Sequence, residues 1–324
     1  MRRGNVSIVL DPLYGDSGKG KIAAVLAART DAALAIEIGT GPSAGHEIHH
    51  SGRSFLTRLI PPCYSHPNTL LAISRTVAID LELLDQEVTS LEGFHVHQRL
   101  LVDPECTLIS CAGQRNLLAA ERAARSRFCS GEVARAGSAT ALLPFLRRIR
   151  DFTAEILDSG RQVIAVMQHG TCVTSAFGSG EVIDWSCTTQ TALQELPSDC
   201  PIEALMVVRT MPSRTLDGPL PHEITWPAHL PPVYGKSSGK LARIASEPDY
   251  DLLAAMCRIN QAVAIYVTFG DFLSPESHGA TTWQGLGERL KKFVATLEAR
   301  ISLPVLYIST GPGLAEGVWI ANAN

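Results

Sequence analysis

The sharpest chemical signal in the chain is Gly15-Asp16-Ser17-Gly18-Lys19-Gly20-Lys21, set between a β-branched run and an Ala/Leu-rich segment. Glycines at that spacing let the backbone turn tightly and bring amide N–H groups close to an anion. A helix beginning behind them adds its dipole, and Lys19 or Lys21 can add full charge. Phosphate binding is the chemistry such a loop suits. Asp16 would repel a phosphate, so its presence points to a metal ligand or a general base. The spacing fits neither G-x-x-x-x-G-K-[ST] nor G-x-G-x-x-G, which disfavours a P-loop kinase or GTPase. A second element, Gly41-Pro42-Ser43-Ala44-Gly45-His46, places a histidine beyond a short strand, where open α/β sheets bind ligands. By itself His46 reads more readily as a packed or capping histidine than as a catalytic one. His49 and His50 read as surface residues on a turn.

These loops need elements to hold them. Asn5–Leu10 reads as a buried strand, Lys19–Thr30 as a helix and Ala32–Ile38 as a second strand. Strand, glycine loop, helix, strand opens a parallel α/β sheet. Further strands are expected at Arg161–Met167, Ala204–Arg209, Ala264–Phe269 and Pro304–Ile308. Helices are expected at Leu81–Leu91, Leu118–Arg127, Ala141–Leu157, Tyr250–Gln261 and Thr282–Arg300. Pro197–Pro248 is rich in Pro, Gly and Ser, and a stretch of that kind usually carries function or is mobile. No composition break marks a boundary, so residues 1–324 are read as one domain.

An apolar fraction of 45% and a charged fraction of 19% over 324 residues describe a chain that can bury a sizeable core. A net charge of −4 gives no overall attraction to nucleic acid or to an anionic membrane, so neither is an expected partner. Val163–Met167 and Ala262–Val267 are far too short to span a bilayer. No signal-peptide apolar region follows Met1-Arg2-Arg3, and the eight scattered cysteines form no C-x-x-C pair. A cytoplasmic protein with reduced thiols is expected.

The order G-D-x-G-K-G-K, then Ala44-Gly45-His46, resembles the adenylosuccinate synthetase family. Phe55–Pro61 with His66-Pro67 is similar to that family's "LIP…HP", and Thr171 to Thr189 to its stretch ending at a nucleotide-side Thr. The run from Ser213 to Glu223 is similar to "TRVGAGPFPTE", Gly235–Arg243 to the aspartate-binding "GATTGRRRR", and Ile308–Pro312 to the closing "STGP". The compact length and several details resemble the phage branch that makes N6-succino-2-amino-2′-deoxyadenylate for diaminopurine DNA. Those details are Asp11 ahead of Tyr14-Gly15, Pro42, Cys187-Thr188, Thr225-Trp226 and Phe272–Pro275. There are departures. That branch often has a small residue at Asp16, the arginine run shrinks to Lys240-Leu241-Ala242-Arg243, and His169 stands where the family has Gln. The family's "TTGxGxGP" survives only as Cys129-Ser130-Gly131.

The resemblance implies an α/β fold, a mostly parallel central sheet with helices on both faces, related to P-loop NTPases. It implies a ligase joining L-aspartate to C6 of a 6-oxopurine nucleotide, dGMP favoured, with hydrolysis of a nucleoside triphosphate and Mg2+ as cofactor. Asp16 would take the N1 proton and, with the Gly45 carbonyl, hold the metal; His46 would donate to O6 and the triphosphate. Gly15, Ser17, Gly18, Lys19, Gly20, Asp271, Gly311 and Pro312 would bind the triphosphate. Ser43, Ser130, Gly131, Arg135, His169, Thr188 and Arg214 would meet the purine nucleotide. Ser237, Ser238, Gly239, Lys240 and Arg243 would meet aspartate, and the resemblance implies a homodimer, to which Arg135 or Arg147 would contribute. Two alternatives remain at this point: adenylosuccinate synthesis from IMP with GTP, and a non-catalytic nucleotide-binding protein, which the thinned arginine loop favours.

Overall fold

The computed structural model describes residues 3–111, 117, 121, 134–174, 176–178, 183, 185–236 and 239–320. Nine strands form one sheet: β1 (Val6–Leu10), β2 (Leu34–Ile38), β3 (Leu70–Ile73), β4 (Leu100–Val102), β5 (Val163–Met167), β6 (Ile202–Arg209), β7 (Ala262–Thr268), β8 (Val305–Ser309) and β9 (Gly317–Trp319). Their spatial order is β9-β8-β7-β6-β1-β5-β2-β3-β4. Every pairing is parallel except β8 with β9. β1 therefore lies at the centre, with Val6 beside Ile202 on one side and Val163 on the other.

Alternation along these strands sends side chains into two cores, as a sheet covered on both faces requires. Helix α1 (Lys19–Thr30) buries Ile22, Ala23, Leu26 and Ala27 against Val9, Ile164, Val166 and Val207. Helix α2 (Leu81–Ser90) adds Leu84 to the same core. On the other face lie α3 (Ile149–Asp158), α4 (Thr189–Glu195), α5 (Tyr250–Ile259) and α7 (Glu288–Ile301). They present Ile149, Ala192, Leu253 and Leu290 to Ile8, Leu10, Ala165 and Met206. A single turn, α6 (Gly270–Leu273), follows β7. The expected fold class, a mostly parallel sheet between helices, is what the chain adopts.

Some boundaries differ from expectation. The segment read as one helix, Ala141–Leu157, is a 3-10 turn over Thr140–Phe145 followed by α3, because Pro144 supplies no amide donor. Thr282–Arg300 likewise begins as a 3-10 turn at Trp283–Gly285, and α7 starts only after Gly287. Pro197–Pro248 is more regular than expected. It holds β6 and a small antiparallel sheet of Ser213–Arg214, Arg243–Ala245 and Glu223–Ile224. His46 is not at the end of a strand but opens a hairpin, His46–His50 paired with Arg53–Thr57. His49 and His50 therefore lie in a strand rather than on a turn, and His50 packs edge-on against Phe94. The helix expected at Leu118–Arg127 falls almost wholly outside the described residues. No helix among the described residues is long and apolar enough to cross a membrane.

Candidate active site

The loops leaving the carboxyl ends of six neighbouring strands converge. They are the glycine loop after β1, residues 39–45 after β2, Gln168–Gly170 after β5, Thr210–Ser213 after β6, Phe269–Asp271 after β7 and Thr310–Pro312 after β8. Carboxyl edges of open parallel sheets are where ligands bind.

Close backbone approach explains two of the glycines. Gly15 has φ 92°, and a Cβ there would meet Gly170 N at 3.2 Å; a Cβ on Gly170 would come within 2.3 Å of Gly15 N. The glycine loop is thus keyed against His169-Gly170, with Gly15 and Gly170 lying 155 positions apart in the chain. Gly18, at φ 73°, caps α1 and leaves Lys19 and Gly20 in its first turn.

The two lysines divide. Lys21 Nζ donates to Ser309 Oγ (2.8 Å) and to the carbonyls of Gly311 (2.6 Å) and Glu316 (2.7 Å). Burial pulls its pKa down to about 8, and its role here is to tie α1 to the turn after β8. Lys19 Nζ reaches the Gly15 carbonyl at 3.2 Å, inside the loop itself.

Asp16 is held by a residue that sequence reasoning missed. Arg209, at the end of β6, places Nη1 2.9 Å from Asp16 Oδ2 and 2.8 Å from Ser213 Oγ, and Ser213 Oγ also donates to Asp16 Oδ2. The guanidinium lies 3.7 Å over the Phe269 ring, is 2% exposed, and leaves Nε and Nη2 without a partner among the described residues. Burial lowers its pKa, opposed by Asp16, Asp11 and Asp271. A charged residue closing a central apolar strand was the available signal. Arg209, Asp16 and Ser213 line a small recess together with Asp11, Tyr14 and Ser17. Burial pushes the Asp11 carboxyl up, against the pull of Lys19.

His46 turns Nε2 toward Glu37 Oε1 at 2.9 Å, and both side chains are buried. His169 adopts φ 62° and places Nε2 2.9 Å from Thr40 Oγ1 and 3.3 Å from Ser43 Oγ. Ser43 donates its N–H and hydroxyl to Glu121, so the 40–45 loop and His169 form one buried polar cluster.

Lys236 is drawn to the same place. Arg58 donates to the carbonyls of Pro42 (2.9 Å), Ala44 (3.3 Å) and Lys236 (2.5 Å), bridging the loop before His46 to the one carrying Gly239 and Lys240. A Cβ on Gly45 would stand 3.4 Å from Lys236 Cβ. Within that region Lys240 meets Asp217 at 3.3 Å, and Arg243 meets Glu223 at 2.8 Å and the Gly218 carbonyl at 2.5 Å.

Arg58 is itself positioned from α2. Glu87 accepts from the backbone N–H groups of Arg58 (2.6 Å), Leu59 (3.1 Å) and Ile60 (3.1 Å). Removing this carboxylate in Glu87→Ala leaves three donors unpaired, and urea unfolding should show a loss of about 3 kcal/mol. Burial pushes the Glu87 carboxyl up to about 7, from 4.5. The folded state thus holds the extra proton between those values, and this contribution is complete below about 4.5 and lost as pH rises through 7. The stability margin of the native protein over Glu87→Gln should widen on acidification across that window.

The remaining candidates are placed as follows. Asp271 Oδ2 meets His278 Nδ1 at 3.3 Å, the Gly311 carbonyl is taken by Lys21, and Pro312 is exposed. Thr188 caps α4, its Oγ1 accepting from Thr191 N at 3.3 Å. Arg214 donates to the carbonyls of Leu216, Asp217 and Pro219, bracing that turn. Arg135 donates to the Glu105 carbonyl at 2.6 Å and bridges to Thr107, on the side of the sheet that ends in β4. Arg147 pairs with Glu155 at 2.8 Å and is not among the converging loops. Ser130, Gly131, Ser237 and Ser238 lie outside the described residues.

The family model for adenylosuccinate synthetase matches residues 8–127, which include the glycine loop and Ala44-Gly45-His46. Adenylosuccinate synthetase of Methanococcus aeolicus is 29% identical, covering 96% of this chain and 98% of the relative. That of Methanocaldococcus jannaschii is 28% identical, covering 98% and 97%. The chain is thus similar over nearly its whole length to curated adenylosuccinate synthetases, and its first 127 residues carry the match to their family model. The family's enzymes are C–N bond-forming ligases, and this chain is a ligase of that type. Two solved structures share the fold. The fully ligated adenylosuccinate synthetase of Plasmodium falciparum superposes with a TM-score of 0.86 at 16% identity, covering 98% of this chain and all of that one. The succinoaminodeoxyadenylate synthetase of cyanophage S-2L, bound to dGMP and dATP, gives 0.79 at 18% identity, covering 98% and 96%.

Proposed function

We propose that this ligase joins L-aspartate to C6 of a 6-oxopurine nucleotide, with dGMP as acceptor, hydrolysing a nucleoside triphosphate by way of a 6-phosphoryl intermediate. The observation that carries the reading is the convergence of Asp16, Lys19, His46 and Lys236 on one edge of the sheet. Four functions meet there: a carboxylate, a phosphate-binding helix terminus, an imidazole and the Lys236 ammonium.

In this mechanism Asp16 takes the N1 proton of the purine. Arg209 and Ser213 hold its Oδ2 and so fix the direction of the carboxylate. The first-turn amides of α1 and Lys19 cradle the triphosphate. His46 meets O6 and the phosphoryl group passing to it. The amine of aspartate then displaces that phosphate at C6, with Lys240 and Arg243 facing its carboxylates and Ser237, Ser238 and Gly239 lining the loop. Asp271 reads the base of the triphosphate; Gly15, Ser17, Gly18, Gly20, Gly311 and Pro312 complete its binding site. Ser43, Ser130, Gly131, His169, Thr188 and Arg214 contact the purine nucleotide, and Arg135 serves across a homodimer.

The residues fit Mg2+. Asp16 and the Gly45 carbonyl offer hard oxygen donors, and no group of three or more His, Cys, Asp or Glu forms a cage among the described residues. Oxygen donors of that kind suit an ion completed by substrate phosphates. When bound, Mg2+ offsets the charge of the triphosphate.

The dGMP reading draws support from Asp11 and Pro42 beside the two catalytic loops and from the shared fold of the cyanophage enzyme. IMP with GTP is the second reading, favoured by the archaeal relatives over nearly the full chain. Mass spectrometry of mixtures containing Mg2+, L-aspartate, one of IMP, GMP or dGMP, and one of GTP, ATP or dATP separates them. A succinyl adduct from dGMP alone is the expected result; an adduct from IMP alone makes the second reading correct, and no adduct in any pairing overturns both.

A further inference from the structure

Glu37 sits near the end of β2, within Leu34-Ala35-Ile36-Glu37-Ile38, and is the one charged residue in an otherwise apolar central strand. Its side chain is 0% exposed. Burying a carboxylate is costly unless it gains a partner, so its retention calls for a reason. The partner is His46: Oε1 stands 2.9 Å from Nε2, while Oε2 has no partner among the described residues. The other edge of the ring faces α1, since a Cβ on Gly20 would lie 3.2 Å from His46 Nδ1.

We propose that Glu37 is the positioning residue for His46: its carboxylate accepts the Nε2 proton and leaves Nδ1 as the nitrogen presented to the reacting nucleotides. A carboxylate accepts but cannot donate, so the proton on the shared edge belongs to the ring. The tautomer is fixed by the hydrogen bond its opposite nitrogen makes, as for buried catalytic imidazoles generally. The neutral ring then offers Nδ1 as an acceptor and the cationic ring offers it as a donor; in both, Nε2 is committed to Glu37. The same bond locks the ring plane against the first turn of α1, where the triphosphate is expected. The role of Nδ1 in turnover rests on the ligase reading above; the state of the ring does not.

The test uses the full chain with 15N-labelled histidine. The His46 ring signals are assigned by their loss in His46→Gln, and long-range 1H–15N correlation spectra report which nitrogen carries the proton. Protonated Nε2 and bare Nδ1 in the native protein, replaced by a different pattern in Glu37→Gln, is the expected result. A proton on Nδ1 alone in the native protein, or an unchanged pattern in Glu37→Gln, overturns the proposal without any need for activity. In turnover assays, Glu37→Gln should lower kcat about 10–100-fold with KM for both nucleotides within about twofold, and Glu37→Asp should recover part of kcat. Native kcat in Glu37→Gln also overturns it. Should the native enzyme form no succinyl adduct at all, the ligase reading fails and the ring spectra still decide the proposal.

Discussion

Asparagine in place of Asp16 is expected to lower kcat by about 10³-fold or more, with nucleotide dissociation constants changed by no more than a few-fold. The substitution keeps the shape of the side chain and an oxygen that can accept from Ser213 and Arg209, so the loop stays in place. What it removes is basicity at the purine N1 and a full negative charge toward the metal. Stopped-flow turnover together with calorimetric nucleotide binding reads the two effects separately. Turnover within tenfold of the native value would remove Asp16 from the chemistry, and lost binding with intact turnover would make the residue a ligand contact alone.

The second large effect is at Arg209. Its replacement by methionine should destabilise the fold by about 2–3 kcal/mol, because the charge pair with Asp16 and the stacking on Phe269 go together. The loss is held below that of a fully buried pair because Asp16 is 30% exposed and can rehydrate. Turnover should fall about 100-fold in addition, since a base displaced by about 1 Å from its productive position loses that much. Urea unfolding and kcat measured on the same preparation test both. A variant of native stability would show that the pair contributes nothing net, and native kcat would show that Asp16 does not depend on Arg209 for its direction.

Much of this protein was legible in its residues. The glycine loop identified itself because Gly and Lys at fixed short spacing are a local feature, as are the apolar runs that became β1, β2, β5, β6, β7 and β8. Periodicity also placed α1, α2 and α5 within a residue or two. It misjudged α3 and α7 at their starts, where Pro144 and Gly287 interrupt an apolar pattern that continues on either side.

What the pattern could not supply is pairing. Lys19 and Lys21 look equivalent in a loop; only the fold shows Lys21 bound to Ser309 and Gly311, 288 and 290 positions away, and Lys19 turned into the loop. Arg209 reads as the end of a strand until β6 lies beside β1 and brings it to Asp16 across 193 positions. Glu37 reads as an irregularity in β2 until the hairpin folds His46 back over it. The physical reason is common to the three. Local sequence sets backbone preference and which face is apolar, whereas the partner of a buried charge is chosen by which strands become neighbours. Strand order is decided by packing over the whole chain.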